Sequence, residues 1–511
     1  MRSKAITKNA AAMLLKNYMI AAFNFISRTI FVKTLGETYL GVNGLFTNIF
    51  SLLSLMELGV GTSITFFLYK PLAENNEDEI RGMLGLYRKL YTGIGIAISI
   101  IGISIIPWLS DIVHTTNQID HLLWIYLLLL SDVVISYLFS YKRSILEADQ
   151  KSYYIALIDA AIAILASVLQ MIVLLVFQNY LLYLSIAIFR TFLSNVIIQR
   201  FANRLYPYIL VRKAYQITAE QRKHIFSRTM AAFSHKLGGI IVYSTDNILI
   251  NLLLNLEIVG LYSNYVAIIN MIYHPLAQVF NSMTASIGNL KAVEEDKNWA
   301  YTSFERVSFL NFWLYGFAAI CLFNLLNPFI TIWIGQKYLL KQLVVFILII
   351  NFLFTGTRMV PNLFNASSGL FWNTRWKPVL ECVINLVVSL YLGYKFGLVG
   401  IFLGTTCSIL VSMVVDPYVL FKQWFQRSFF DYVKLYLRWM LIIAVTGVAI
   451  HYLGSLITIN NIVGFIALLT VNVIGINLSF LFFNYRSPDF IYCKNILIDK
   501  FISNKKQGDS E

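Results

Sequence analysis

The chain has 511 residues, of which 58% are hydrophobic and 13% are charged, and its formal net charge is +14. Soluble domains are about half apolar and about a quarter charged, so this composition excludes an ordinary soluble protein and indicates a membrane protein. The positive charge does not indicate nucleic-acid binding, because most Lys and Arg residues lie in connections on one side of the apolar segments.

Apolar segments of about 20 residues, the length of a helix that crosses a bilayer, recur along the chain with short connections between them. We predict an all-α polytopic membrane protein with about 14 transmembrane helices and no soluble domain. The predicted spans are 13–32, 42–69, 84–107, 121–140, 154–177, 180–200, 229–253, 258–283, 304–327, 342–362, 379–396, 398–420, 439–455 and 461–483.

The distribution of positive charge sets the expected orientation. The basic segment before the first span is followed by a long apolar stretch without a small-residue cleavage site, so we expect a retained helix and not a signal peptide. The positive-inside rule places this end in the cytoplasm, and the even number of spans places the other terminus there as well. The most basic connection, from Arg200 to Arg228, is expected to bind anionic lipid headgroups.

The sequence contains a repeat with an offset of 219 residues. The segments "LGVNGLFTNIFSLL" and "VGLYSNYVAIINMI" superpose Gly41 on Gly260, and each is followed by a helix, an acidic loop and a further helix with a basic residue near its start. Because each copy has six helices, an even number, both copies enter the membrane in the same direction. Such parallel repeats are related by a pseudo-twofold axis along the membrane normal.

Two pseudo-symmetric six-helix lobes and two additional C-terminal helices follow from this repeat. The predicted N-lobe, at 1–225, contains six helices and the basic cytoplasmic linker. The predicted C-lobe is 226–436, and the last two helices with a cytoplasmic tail occupy 437–511. A cleft between two such lobes, open alternately to either side of the membrane, is typical of transporters.

A carboxylate lies in the middle of the second predicted span. Glu57 stands within a long apolar run, and a carboxylate at that depth must face protein or water, which makes it a candidate functional residue. Gly59 and Gly61 permit close helix packing or a local bend, and they are not a nucleotide-binding loop because no strand–turn–helix context surrounds them. Two roles stay open for Glu57: a carboxylate for a coupling ion, or a hydrogen-bond acceptor inside the lobe.

The order of several short motifs resembles the polysaccharide transporter family of the multidrug/oligosaccharidyl-lipid/polysaccharide (MOP) exporter superfamily. The motifs are "LGETYLG" between the first two spans, "ELGVG" in the second span before an acidic loop, and "IWIG" at Ile332–Gly335. The resemblance implies a flippase that moves undecaprenyl-diphosphate-linked oligosaccharide repeat units from the cytoplasmic to the outer leaflet of the bacterial plasma membrane by alternating access. The units would serve capsule, exopolysaccharide or O-antigen synthesis.

Two other functions stay open. A multidrug-type small-molecule exporter shares the fold implied by the resemblance, although such exporters typically lack the last two helices. A membrane polysaccharide polymerase is disfavoured, because the longest predicted outer connection, "PWLSDIVHTTNQID", is too short for an outer catalytic domain. We therefore expect a transporter and not an enzyme.

The expected partners are the lipid-linked glycan, membrane lipids, and the polymerase and glycosyltransferases of the same pathway. No cofactor or metal is expected, since the four cysteines are widely separated and no Gly-rich Lys-Ser/Thr loop for ATP is present. The energy source stays open between protons, sodium, membrane potential and consumption of the product outside. A monomer would be sufficient, because the cleft lies within one chain.

Two predicted spans related by the repeat carry matching polar stripes. In the first span the polar residues fall within about 40° of one another on one helix face. The repeat maps them onto three positions of the seventh span, so we predict that both helices line the central cleft. The proposed substrate-binding residues of these stripes are Asn17, Asn24, Arg28, Lys236, Tyr243 and Asn247.

The two cations of the stripes lie at different depths in the membrane. Lys236 is predicted toward the cytoplasm and Arg28 toward the outside, so they are expected to hold the diphosphate in the inward-open and outward-open states. Asp246 is predicted at nearly the same depth as Arg28. An ion pair between Arg28 and Asp246, acting either as a gate or as a static structural pair, is the alternative to substrate contact.

Three charged residues of the first lobe lie inside predicted spans. Asp132 and Asp159 are in the fourth and fifth spans, and Arg190 is in the sixth. They form either a structural pairing of the two carboxylates with Arg190 or a proton or sodium site.

Charged residues near the inner ends of the C-lobe spans are harder to interpret. Arg358, in the tenth span, either extends to the lipid headgroups or reaches the inner cleft to bind substrate. Glu381 and Asp416 are predicted close to the cytoplasmic interface, where no special role is expected for them.

Overall fold

A computed structural model of the chain describes residues 2–57, 60–113, 119–211, 245–284, 287, 297–370, 374, 376–457 and 461–495. Throughout these ranges the backbone is helical or forms short connections, and no strand occurs in them. The predicted all-α class is therefore confirmed. Eleven helices in the described part of the chain are long and apolar enough to cross a membrane, which makes this a multi-pass membrane protein.

The described helices follow the predicted spans closely, and 229–244 of the seventh predicted span lie outside the described residues. In the first half they are α1 (Arg2–Leu53), α2 (Val60–Ala73), α3 (Glu77–Ile105), α4 (Leu122–Ser140), α5 (Arg143–Ala148), α6 (Ser152–Val176), α7 (Tyr180–Leu205) and α8 (245–253). In the second half they are α9 (Leu256–Asn281), α10 (Lys297–Trp333), α11 (Gln342–Thr357), α12 (Met359–Ser367), α13 (Lys377–Phe396), α14 (Leu398–Leu420), α15 (Phe429–Ser455) and α16 (Ile462–Asn484).

Two interruptions shape the first two predicted spans. Gly36 has φ 79° and ψ −172°, a conformation that glycine adopts without steric cost, and it divides α1 into two helical segments. A 3₁₀ turn at Ser54–Glu57 then interrupts the second segment, and the helix begins again with α2. The second span is therefore discontinuous at Glu57, the carboxylate that the sequence singled out.

Contacts divide the chain into two compact units, Met1–Ser263 and Asn264–Glu511. Each unit has its own buried core of aromatic and aliphatic side chains, with Tyr126 and Phe46 in the first and Phe304 and Phe364 in the second. The predicted division of the chain at 225 and 436 stays a prediction.

Two glycines of the repeat make a reciprocal close contact inside the first unit. A Cβ atom at Gly41 would clash with the carbonyl oxygen of Leu256, and one at Gly260 would clash with that of Glu37. Residues 37 and 41 correspond to 256 and 260 in the 219-residue repeat, so each copy offers the same carbonyl to the other's glycine. Glycine is required at both positions because only its missing side chain permits this approach.

In the second unit, α13 packs against α14 through a polar stripe. The buried residues of α13 recur every four positions: Lys377, Glu381, Asn385, Ser389 and Gly393. Asn385 donates a hydrogen bond to Thr405 at 3.1 Å, and Gly404 leaves the space that the Ser389 side chain fills. The opposite, apolar face of α13 is exposed, as expected of a helix that borders lipid on one side.

The last two helices are attached to α10 by asparagine side chains. Asn324 of α10 donates to Asn472 of α16 at 2.8 Å, and Trp313 of α10 donates its indole N–H to Asn477 at 3.0 Å. His451 of α15 is hydrogen-bonded to Asn324 at 2.9 Å. Hydrogen bonds of this kind between transmembrane helices contribute about 0.6 kcal/mol each on average, and together they fix α15 and α16 on the second unit.

Candidate functional site

Arg28 and Asn24 lie on the first segment of α1. Asn24 is exposed, whereas Arg28 is partly buried and lies within electrostatic range of the Tyr183 hydroxyl group on α7. One turn beyond Arg28, Phe31 makes edge-to-face contacts with Tyr183 and Tyr180 at ring-centroid distances of 5.3 and 5.5 Å. The Arg28 guanidinium therefore borders an aromatic cluster inside the first unit.

The described part of the predicted partner stripe lies on α8. Asn247 lies beside Gly44 of α1, and its Oδ1 is buried and accepts no hydrogen bond from the residues that the structure describes. Asp246 is buried and accepts a hydrogen bond from the Tyr262 hydroxyl at 3.3 Å. The predicted gate between Asp246 and Arg28 stays a prediction.

The side chains of three predicted stripe residues lie outside the described part of the structure. Lys236 and Tyr243 lie outside the described residues. Asn17 belongs to α1, but its side chain is outside the described part of the structure. Of the two polar stripes the structure describes only the side chains of Asn24, Arg28 and Asn247, so the pairing of the stripes stays a prediction.

Glu57 ends the 3₁₀ turn and is enclosed by tyrosines of α3 and α4. The Tyr91 hydroxyl donates a hydrogen bond to Glu57 Oε1, and the rings of Tyr91 and Tyr87 are 4.2 Å apart. Tyr137 of α4 also lies close enough to interact with the Glu57 carboxylate. We call Glu57, Tyr87, Tyr91 and Tyr137 the tyrosine cage; its three tyrosines are buried.

Gly61 closes one side of the tyrosine cage. A Cβ atom at this position would lie 3.1 Å from the Tyr91 hydroxyl oxygen, 3.2 Å from that of Tyr87 and 3.4 Å from Glu57 Oε1. The "ELGVG" motif therefore places a carboxylate and, one helical turn later, a residue small enough to admit two phenol groups.

Asp159 has a different partner from the predicted one. Arg143, at the start of α5, donates to both Asp159 oxygens at 2.9 Å, and it also donates to Asn195 at 2.9 Å and Ser194 at 3.0 Å on α7. The expected pairing of Asp159 with Arg190 is therefore wrong. The reason is physical: the chain turns between α4 and α5 and brings Arg143, predicted to lie in a cytoplasmic connection, back against α6 and α7.

Asp132 is the carboxylate that lies near Arg190. The Arg190 charge acts on Asp132, which also approaches Thr191, but the two charged groups do not form an ion pair within 4 Å in the described structure. Asp132 Oδ1 is buried without a hydrogen bond from the described residues. Asp132 therefore keeps both of its predicted roles open.

Arg358 lies at the break between α11 and α12. Its Nη1 is 3.3 Å from Glu381 Oε1 on α13, and both side chains are largely buried. The second unit thus repeats the arrangement of the first: an arginine near the inner end of the fourth predicted span of each lobe pairs with a carboxylate of the fifth predicted span. Glu381, for which no special role was expected, is the partner of Arg358.

The most buried ion pair in the described structure joins Lys377 to Asp416. Lys377 Nζ is 2.5 Å from Asp416 Oδ2, and the two side chains are 9% and 1% exposed. Asp416 also accepts from Ser412 at 2.9 Å, and Lys377 donates to Asn362 at 3.1 Å. Asp416 was expected at the interface, and the structure buries it completely. The four-residue period of the α13 stripe was the signal that could have found this pair.

Among the described residues, no three His, Cys, Asp or Glu side chains come together as metal ligands. Three ion pairs of a basic residue with a single carboxylate are instead present, Arg143–Asp159, Arg358–Glu381 and Lys377–Asp416, together with the tyrosine cage.

Solved transporters of the MOP superfamily have the same fold as this chain. The lipid II flippase MurJ, in an inward closed conformation, superposes with a TM-score of 0.70 over 92% of this chain and 98% of that chain, at 12% identity. An inward-facing multidrug resistance MATE family transporter of the MOP superfamily gives a TM-score of 0.61 over 81% of this chain and 98% of that chain, at 15% identity.

A MOP superfamily transporter from Pyrococcus furiosus Vc1 is also similar, with a TM-score of 0.52, 15% identity and coverage of 81% of this chain and 94% of that chain. No protein-family model matches the sequence, and no curated protein sequence is similar to it. At these identities the structural similarity defines the fold and not the substrate. The predicted fold, that of the flippases and exporters of this superfamily, is confirmed.

Proposed function

We propose that the chain is a flippase that moves undecaprenyl-diphosphate-linked oligosaccharide repeat units from the cytoplasmic to the outer leaflet of a bacterial plasma membrane. The observation that carries this proposal is the similarity to a lipid II flippase over 92% of the chain. The motif order of the polysaccharide transporter family supports the same conclusion and favours a glycan for capsule, exopolysaccharide or O-antigen. Both termini would be cytoplasmic, and a polymerase and glycosyltransferases would act with it.

A multidrug-type exporter is the second candidate, and the similarity to a MATE transporter supports it. That similarity covers a smaller share of this chain than the similarity to the flippase does. The asparagine contacts between α10 and the last two helices also favour the flippase, since these helices are built into the second unit.

In the proposed mechanism Arg28 binds the diphosphate and the polar stripes bind the sugar. A partly buried guanidinium beside aromatic rings in a membrane helix is costly, and such residues mark substrate pathways. Arg28 can bind a phosphate group through two parallel hydrogen bonds. Asn24 and Asn247 offer amides to sugar hydroxyls, and Lys236 would take over the diphosphate in the inward-open state.

Glu57 is the proposed coupling carboxylate. As a carboxylate, Glu57 only accepts hydrogen bonds, including the one from the Tyr91 hydroxyl. Once protonated, it also donates a hydrogen bond, which changes the hydrogen bonding within the tyrosine cage. Protonation would therefore act directly on the interruption in the second span, where a small change in hydrogen bonding can alter the direction of a helix. Asp159 is a weaker candidate, because Arg143 holds both of its oxygens.

Deletion of the gene in its host tests the proposed function. The lipid-linked glycan is then identified by mass, and its leaflet is determined by its accessibility to an externally added enzyme. Complete repeat units trapped on the cytoplasmic leaflet support the flippase. Complete units exposed outside but unpolymerised indicate a polymerase defect, and an unchanged glycan directs attention to small-molecule export.

A further inference from the structure

Lys142 is a buried cation without a carboxylate partner among the described residues. It lies in the turn between α4 and α5, its side chain donates to Asn203 of α7, and only 8% of its surface is exposed. An ammonium group removed from water is costly unless an anion accompanies it. Asn203 is neutral, so it accepts one of the three hydrogen bonds that the Lys142 ammonium group can donate and does not compensate its positive charge.

A second cation lies on the same aromatic ring. The Arg88 guanidinium is 5.8 Å and the Lys142 ammonium 5.6 Å from the centroid of Tyr141. We call these three residues the Tyr141 cation pair. Burial, together with the charge of Arg88, lowers the pKa of Lys142, as expected when two like charges lie close together.

Two carboxylates of the first unit that the structure describes interact with Arg143 and not with the Tyr141 cation pair. Asp159 is held by Arg143, and Glu147 interacts electrostatically with Arg143 and Glu57. A comparable site in the same unit has an acid: Lys151 lies over the Tyr206 ring at 5.1 Å and pairs with Asp149 at 2.7 Å. The Tyr141 cation pair has the cations and the ring but lacks the corresponding acid.

We propose that the Tyr141 cation pair binds a phosphate group at the end of the first unit that is predicted to face the cytoplasm. A phosphate oxygen is a strong acceptor for both guanidinium and ammonium donors, and the Tyr141 hydroxyl adds a neutral donor. Two membrane components present this chemistry at that depth: the diphosphate of a lipid-linked glycan and the phosphate of an anionic phospholipid. The first source rests on the proposed function and would make this an entry site where the substrate is captured.

Ligand binding to the purified full-length protein tests the proposal. Farnesyl diphosphate, a soluble prenyl diphosphate, is titrated against protein in detergent micelles, and retained phosphatidylglycerol is measured by native mass spectrometry. The variants are Lys142→Gln and Arg88→Gln, and the matched control is Lys89→Gln, an exposed lysine adjacent to Arg88 on α3.

We expect Lys142→Gln and Arg88→Gln each to lower the affinity for one of these ligands by about tenfold, because each variant loses a charge-assisted hydrogen bond. Lys89→Gln should bind both ligands like the wild type. Loss of farnesyl diphosphate binding identifies the substrate diphosphate as the source, and loss of phosphatidylglycerol alone identifies the lipid headgroup. Unchanged binding of both ligands overturns the proposal.

A folding defect is separated from a binding defect by Lys142→Arg. This variant keeps the positive charge and should retain the ligand; failure of Lys142→Arg to bind while its melting temperature is unchanged would also contradict the phosphate site. The experiment is independent of the gene deletion. If the variants bind both ligands normally and the gene deletion traps the glycan on the cytoplasmic leaflet, only the phosphate site is overturned. If the variants lose phosphatidylglycerol and the gene deletion leaves the glycan unchanged, only the proposed flippase function is overturned.

Discussion

Replacement of Lys377 by methionine tests whether the buried Asp416 carboxylate depends on Lys377 to compensate its charge. The substitution keeps the side-chain length and removes the charge. It leaves Asp416, 1% exposed, with Ser412 as its one remaining side-chain donor in the described structure. Removing one partner of a buried ion pair costs about 3–5 kcal/mol. We therefore expect Lys377→Met to lower the unfolding free energy by about that amount.

Reversible unfolding of the purified protein in mixed detergent micelles measures this loss. The double variant Lys377→Met with Asp416→Leu removes both charges and should recover most of it, because a buried pair can be replaced by apolar residues at little cost. Lys395→Met, at the exposed end of the same helix, is the matched control. A loss below about 1 kcal/mol in Lys377→Met, or a double variant no more stable than the single one, would refute the reasoning.

Further substitutions test the remaining features. Gly41→Ala should abolish transport because its Cβ would meet a carbonyl oxygen, whereas Gly85→Ala, with open space around it, should be active; transport assays compare them. Glu57→Gln should fold normally but lose the pH dependence of transport, and an unchanged pH profile would argue against coupling. Arg28→Ala should abolish transport with normal membrane insertion, and Arg28→Lys should restore it partly; full activity of Arg28→Ala would contradict diphosphate binding.

The helices could be predicted from the sequence because a bilayer demands a long apolar segment for every span. Each predicted span has a helix in the described residues, although only 245–253 of the seventh span, 229–253, is described, and Gly36 accounts for the division of α1 into two. The interruption at Glu57 was indicated only as a bend, because hydropathy does not distinguish a regular helix from a 3₁₀ turn.

The partners of the buried charges could not be predicted with the same success. The pairing of Arg143 with Asp159 depends on a turn that returns a cytoplasmic connection to the helix bundle, and apolar periodicity does not report such turns. Tyr87 and Tyr91 come together with Glu57 only through the packing of α3. The α13 stripe was readable from the sequence, since Lys377 and Glu381 lie one turn apart on the same face.

Transport by the purified protein tests the central claim most directly. The protein is reconstituted into liposomes with a fluorescent undecaprenyl-diphosphate oligosaccharide, and the fraction of the glycan accessible to an enzyme added outside is followed over time. The account predicts that wild-type protein makes the inner-leaflet glycan accessible, whereas empty liposomes and Arg28→Ala do not. A wild-type protein that leaves the lipid-linked glycan in place but transports small organic cations would contradict the flippase and identify a multidrug-type exporter.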